Sequence, residues 1–226
     1  MRVAQLLFAT VVFLLLGAFA VDVQAGEPKH VNPKPTFAKT PPDQEAALAL
    51  KKLGQAPNLS AEEWKKILAG EILVRPVGQQ GEARTVEAVG VIEAPPKAVA
   101  AFMRDYPAYV GPMPHLKKID AKWDGNLATV EQTLKVAFFD VWYRLRILHY
   151  GDYAIEWEYE AGDIKDTRGY YKLFPTNQGR HTLVVYHVFT DPGLPVPAFV
   201  VELMTTSSMP DVLKAIRQAV LARQAR

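Results

Sequence analysis

The sequence predicts an α+β protein in which a curved antiparallel sheet wraps around a long C-terminal helix. Three observations predict it. From Glu71 onward the apolar period changes from that of a helix to that of a strand. Six consecutive strand-like segments then follow between about residue 116 and residue 190, with links short enough to make chain neighbours antiparallel. A sheet of that length must curl, and the region from about Val196 to Arg223 is the only element long enough to cover its apolar face.

The elements follow in order. Arg2 precedes an apolar run from Leu6 to Val21, and Val23-Gln24-Ala25 matches the small-residue pattern of a cleavage site. Residues 1–25 are therefore expected to be a signal peptide. The alternative is an uncleaved anchor, although the run is short beside the roughly 20 residues of a membrane span. Residues 26–42, with Pro28, Pro33, Pro35, Pro41 and Pro42, are expected to be an extended, mobile tether. The rest, 43–226, reads as one domain, with a helical extension over 43–70 and a core over 71–226. In the extension, Asp43 to Leu53 forms a helix ending at Gly54, and Ser60-Ala61-Glu62-Glu63 is a capping box ahead of Trp64, Ile67 and Leu68.

Strands are expected over Ile72 to Val77 and Arg84 to Glu93, separated by a Gly78/Gly81 turn. Ala94-Pro95-Pro96 opens a helix that Asp105-Tyr106-Pro107 ends, and Tyr109 to Pro114 is expected to be a tight turn or a single helical turn. The six later strands cover about 116–123, 128–139, 142–150, 154–161, 168–174 and 182–190, with turn chemistry between them. The last helix carries Phe199, Val200, Leu203, Met204, Val212, Leu213, Ile216 and Val220 as an apolar stripe, with a bend expected near Pro210.

Composition narrows the function. The 226 residues include no cysteine and carry a formal net charge of +2. Disulfides, thiolate metal sites, cysteine nucleophiles and a lipid-anchor cysteine are excluded. So small a basic excess does not point to nucleic acid.

Ala94-Pro95-Pro96-Lys97-Ala98-Val99 with Phe102, Asp105-Tyr106-Pro107 and Tyr109 resembles the opening of START-related domains of the SRPBCC superfamily, which includes polyketide cyclase-like and coenzyme Q-binding proteins. Gly169-Tyr170-Tyr171-Lys172-Leu173-Phe174-Pro175, Gly179 to Tyr186 and Asp191 to Pro195 are similar to its late strand pair and the lead into its last helix. The resemblance covers roughly residues 70–226. It implies a helix-grip fold with an apolar cavity between sheet and helix, and a hydrophobic small-molecule or lipid ligand. Some members are enzymes, so it does not decide activity.

Strand alternation assigns the faces. Ile155, Trp157 and Tyr159 are expected inward and Glu156, Glu158 and Glu160 outward. Tyr143, Leu145 and Ile147 point in against Arg144 and Arg146. Val130, Leu134, Val136 and Phe138 point in, with Gln132 as a polar contact, and so do Tyr171 and Leu173. By resemblance Val184, Tyr186 and Val188 also face inward. Leu183, Val185 and Phe189 then need another cover, which the helices of 43–70 are expected to provide. The expected ligand-binding set is Phe102, Tyr106, Tyr109, Met113, Val130, Gln132, Leu134, Tyr143, Leu145, Trp157, Tyr159, Tyr171, Leu173, Tyr186, Phe199, Leu203, Val212 and Ile216.

Chemistry beyond binding finds little support. Ser60 is a helix cap, and Ser207 and Ser208 lack a nucleophile elbow. His30, His115, His149, His181 and His187 form no close ligand pair, so neither metal nor cofactor is expected. Asp163 and Asp166 fit a turn. Lys214, Arg217, Arg223 and Arg226 make the C-terminal end basic, which allows contact with a membrane surface. The reading is an exported, periplasmic, monomeric protein that holds a hydrophobic small molecule or lipid, with no nucleic-acid partner. A cyclase- or hydrolase-like enzyme drawing on Gln132, His149 and Tyr186, and a structural protein with a filled core, are the alternatives.

Overall fold

The computed structural model describes residues 28–33, 36–136, 139–193 and 209–226. The expected signal peptide, Phe138, Phe199, Leu203, the two serines at 207 and 208 and the first part of the last helix lie outside them. The elements are β1 (His30–Val31), α1 (Pro42–Leu53), α2 (Ala61–Leu68), β2 (Leu73–Gln80), β3 (Ala83–Ile92) and α3 (Pro96–Arg104). A single 3-10 turn (Tyr106–Tyr109) leads into β4 (Leu116–Asp124), β5 (Leu127–Val136), β6 (Phe139–Tyr150), β7 (Ala154–Gly162), β8 (Asp166–Thr176) and β9 (His181–Asp191), and α4 (Met209–Gln224) closes the chain.

The local signals act as their chemistry requires. The Ser60 hydroxyl accepts the Glu63 amide at 3.2 Å, and Glu63 accepts the Ser60 amide at 2.8 Å, so the capping box starts α2. Gly54, at φ 63°, takes the left-handed position that ends α1. Two expected boundaries shift. Gly78 is a β2 residue at a register slip after Pro76, so the β2–β3 hairpin turns at Gly81 and Glu82. Phe139 and Asp140, expected as a break, belong to β6 and pair with Val136 and Lys135.

The strands form one antiparallel sheet in the order β2-β3-β9-β8-β7-β6-β5-β4. β7 and β8 pair only from Ala154↔Lys172 to Trp157↔Gly169, and beyond that point they part. β1 pairs with β7 there, through His30↔Gly162 and Val31↔Ala161. This corrects the expectation of a free tether. The Thr36 and Phe37 amides donate to the Glu158 carboxylate at 2.8 and 2.7 Å, and the Thr40 amide donates to Asn126 Oδ1 at 2.8 Å. Proline-rich sequence gives an extended chain, but here the extended chain finds acceptors on the sheet and lies along it.

Each face of the sheet has its own core. The inner face packs on α3 and α4, with Phe102, Met103, Val130, Leu145, Trp157, Leu173, Leu213 and Ile216 among the buried residues. On the outer face Leu59, Ile67 and Trp64 pack against Val89, Val91, Leu183, Val185 and Phe174, so the N-terminal helices do supply the cover that the last strand needed. Phe189 lies apart, under the Arg168 guanidinium at 4.0 Å. Glu156, Glu158 and Glu160 face outward as expected, yet each meets a cation, in Lys52, Arg146 and Arg144.

Candidate functional site

The inner face of the sheet brings together most of the side chains expected to bind a ligand. Phe102, Tyr106, Met113, Val130, Leu145, Trp157, Tyr159, Leu173 and Ile216 belong to one buried cluster, and Tyr109, Tyr143, Tyr171, Tyr186 and Val212 pack against it. Register decides this. Val130 pairs with Leu145, Gln132 with Tyr143, Ile147 with Trp157 and Tyr171 with Tyr186, so each inward set meets its neighbour's inward set. Leu134 is half-buried and pairs with Leu116 and Val141.

Aromatic rings dominate the middle of this face. Tyr171 and Tyr186 stack at 4.4 Å, and Trp157 lies 5.5 Å from the first and 5.9 Å from the second. Phe102 and Tyr109 stack at 5.4 Å on the α3 side. Tyr109 donates to the Met103 carbonyl at 2.8 Å, and the other phenols have polar cross-strand neighbours, Tyr143 opposite Gln132 and Tyr171 opposite Tyr186. Tyr159 is a correction of detail. Its ring faces inward, but its hydroxyl reaches past the sheet to donate to the His30 carbonyl at 3.0 Å, so it helps to seat β1.

Burial pushes the Tyr186 hydroxyl up to about 12 and those of Tyr109, Tyr143 and Tyr171 upward as well, because a phenolate loses its water in this surround. Yet these four tyrosines keep an intermediate share of accessible surface. A side chain both enclosed by protein and touched by solvent-sized space borders a hollow or a concave surface. The chemistry such a wall offers is apolar contact with uncharged hydroxyls spaced along it.

Gln132, His149 and Tyr186 do not converge as the enzyme alternative needs. Gln132 joins Tyr143 near the middle of the sheet, whereas His149 lies six positions further along β6, roughly 20 Å away at strand rise. His149 is 1% exposed, with Nε2 2.7 Å from the Tyr106 hydroxyl and its ring 4.9 Å from that of Trp123. Sequence reasoning missed Trp123, though its register with Ile119 and Ala121 marks it as inward.

Desolvation, with a smaller contribution from Arg104, lowers His149 from 6.5 to about 3, so it is neutral in the fold. Unfolded chains take up that proton near 6.5, so this histidine's share of stability is complete above about pH 6.5 and is lost as pH falls towards 3. The expected slope is about 1.4 kcal/mol per pH unit in that window. His149→Gln keeps a partner for Tyr106 and removes the titration. Urea midpoints at pH 7 and pH 5 should therefore diverge less in the variant, by about 2 kcal/mol in free energy. Equal pH dependence in both proteins would contradict the assignment.

Two clefts open away from the tyrosine wall. One, of about 410 Å³, is lined by Glu45, Arg104, Trp123, Gly125, Asn126 and His149. The other, of about 490 Å³, lies where β7 and β8 part, and Trp157 is its link with the inner face. Among the described residues no three His, Asp or Glu side chains gather as a metal site, and no helix is long and apolar enough to cross a membrane. The basic C-terminal end is largely paired: Arg217 with Glu93, Arg223 with Asp105 and Lys214 with Asp211.

The architecture defines the class. A curved antiparallel sheet against α3 and α4 is a helix-grip fold, and solved structures share it, proteins described as START-related among them. The Zhui aromatase/cyclase from Streptomyces sp. R1128 aligns at 19% identity and TM-score 0.55, over 64% of this chain and 96% of its own. A STAR-related lipid transfer protein from Xanthomonas axonopodis aligns at 20% identity and TM-score 0.55, over 66% and 93%. A START superfamily protein from Mycobacterium smegmatis aligns at 16% identity and TM-score 0.54, over 63% and 99%. No family model matches the sequence, and neither does any curated protein. These matches cover about two thirds of this chain and nearly all of each solved one.

Proposed function

We propose that this protein binds a hydrophobic small molecule, a lipid above all, between the inner face of its sheet and its C-terminal helix. One observation carries the reading: Tyr109, Tyr143, Tyr171 and Tyr186 are enclosed among apolar side chains yet retain accessible surface. Of the proteins that share the fold, one is named a lipid transfer protein and another an aromatase/cyclase, and the first of these agrees with it. Phenols held neutral suit hydrogen bonding better than proton transfer near neutral pH, which favours binding over catalysis. Affinity would come from apolar area leaving water, at about 25 cal/mol per Å² before ordering costs. The basic start, apolar run and Val23-Gln24-Ala25 support a site of action in the cell envelope.

The test is direct. Protein produced with its leader and purified from the periplasm is extracted with organic solvent, and the extract is analysed by mass spectrometry. A co-purifying hydrophobic compound in near-stoichiometric amount is expected, and the delipidated protein should take up a neutral apolar dye. Empty protein that also refuses the dye would refute the reading.

A further inference from the structure

Among the described residues the middle of the inner face carries no charged side chain. Among the described residues the buried polar side chains are Asn126, His149, Thr167 and Thr182, and no Lys, Arg, Asp or Glu is buried. Register turns the charges of the central strands outward: Glu131 on β5, Arg144 and Arg146 on β6, Glu156, Glu158 and Glu160 on β7, Lys172 on β8. Of these, Arg144 bonds Glu131, and Lys52 bonds Glu156, so they also neutralise one another there. Cations near the ends of the inner face are committed as well. Arg223 lies over the Phe102 ring but bonds Asp105 at 2.6 Å, and Arg104 bonds Asp152 and the Gly151 carbonyl. Arg84, at the start of β3, folds back onto the Gly81 and Ala83 carbonyls.

We infer that the part of the ligand held against this face is electrically neutral, so the protein selects uncharged lipids and excludes carboxylates and quaternary amines of the same size. The inference rests on the binding reading above and deepens it. An ion entering such a site leaves its water and meets no counter-charge among the described residues, while a hydroxyl or ester oxygen meets the cross-strand pairs Tyr143–Gln132 and Tyr171–Tyr186, whose amide and hydroxyls can donate or accept. The penalty for an unpaired buried ion is several-fold larger than for a paired polar group.

Displacement of a neutral fluorescent dye from the delipidated full-length protein tests this. The competitors are hexadecan-1-ol, methyl hexadecanoate, hexadecanoate and hexadecyltrimethylammonium, at about pH 8 and below their micelle concentrations. The alcohol and the ester are expected to displace the dye with affinities on the order of a hundredfold above those of the two ions. Ions that bind within about threefold of the ester would overturn the neutral-ligand inference and leave the binding reading standing. A protein that binds neither dye nor any of the four would instead overturn the binding reading, and this inference with it.

Discussion

Gly169→Ala is expected to destabilise the protein by about 3 kcal/mol or more, at the upper end of what overpacking costs. Gly169 lies on β8, opposite Trp157 at the last pair before β7 and β8 part. A methyl group there would stand far inside van der Waals contact with the His187 carbonyl oxygen and the Trp157 ring, whose Cη2 lies 2.7 Å from the added carbon. The indole lies over bare backbone, which only glycine provides. One of the two obstacles is backbone of the neighbouring strand, so rotamer changes cannot clear it. Urea denaturation should show the loss. Trp157→Phe in the same background should restore part of it, because the smaller ring relieves the side-chain contact and leaves the carbonyl. A Gly169→Ala protein within about 0.5 kcal/mol of the parent would show that β8 and β9 separate freely here.

Ile67→Ala should cost about 3 kcal/mol, with a fall in melting temperature on the order of 10 °C. Ile67 is 0% exposed and packs, with Leu59 and Trp64, on Leu183, Val185, Val89 and Val91. The neighbouring Leu68 is 61% exposed, so Leu68→Ala serves as a control and should stay within about 0.5 kcal/mol. Equal effects at the two positions would mean that the N-terminal helices contribute little to the fold. The contrast tests whether the extension completes the domain or merely accompanies it. A sheet that carries apolar residues on both faces needs a layer on each, and α3 and α4 can supply only one.

How far the site could be read from the chain varied with position. On β5 to β8 alternation was clean, because charged residues alternated with apolar ones at Arg144 and Arg146 and at Glu156, Glu158 and Glu160. One face had to seek water or counter-ions, and the other face was thereby identified. On β9 both faces are apolar, from Leu183 through Val188, and alternation carried no sign. The likeness of the late strand pair to START-related domains supplied the orientation there, and the packing of Leu183 and Val185 on α2 agrees with it. Trp123 and His149 show the opposite failure. Their register was legible, but nothing local revealed that rings from β4 and β6 would stack and that Tyr106 would reach the imidazole.

Proline content misled on residues 28–33 and 36–41 for a related reason. Proline fixes backbone angles, so the extended shape of that segment was determined locally. Whether an extended chain stays in water or pairs with the sheet depends on free acceptors elsewhere. Those acceptors exist because β7 and β8 part after Trp157 and because Glu158 faces outward beside them.

The sequence by itself determined the elements, the inward sets of the central strands, the need for a helical cover and the absence of sulfur chemistry. These follow from period, capping, turn residues and composition, which act over a few neighbouring residues. The tertiary structure alone decided that the N-terminal segment lies on the sheet, that Trp157 rests over Gly169 and that His149 is held neutral against Tyr106 and Trp123. Each of these joins residues from separate elements, and their meeting is fixed by strand order and register, which no local pattern encodes.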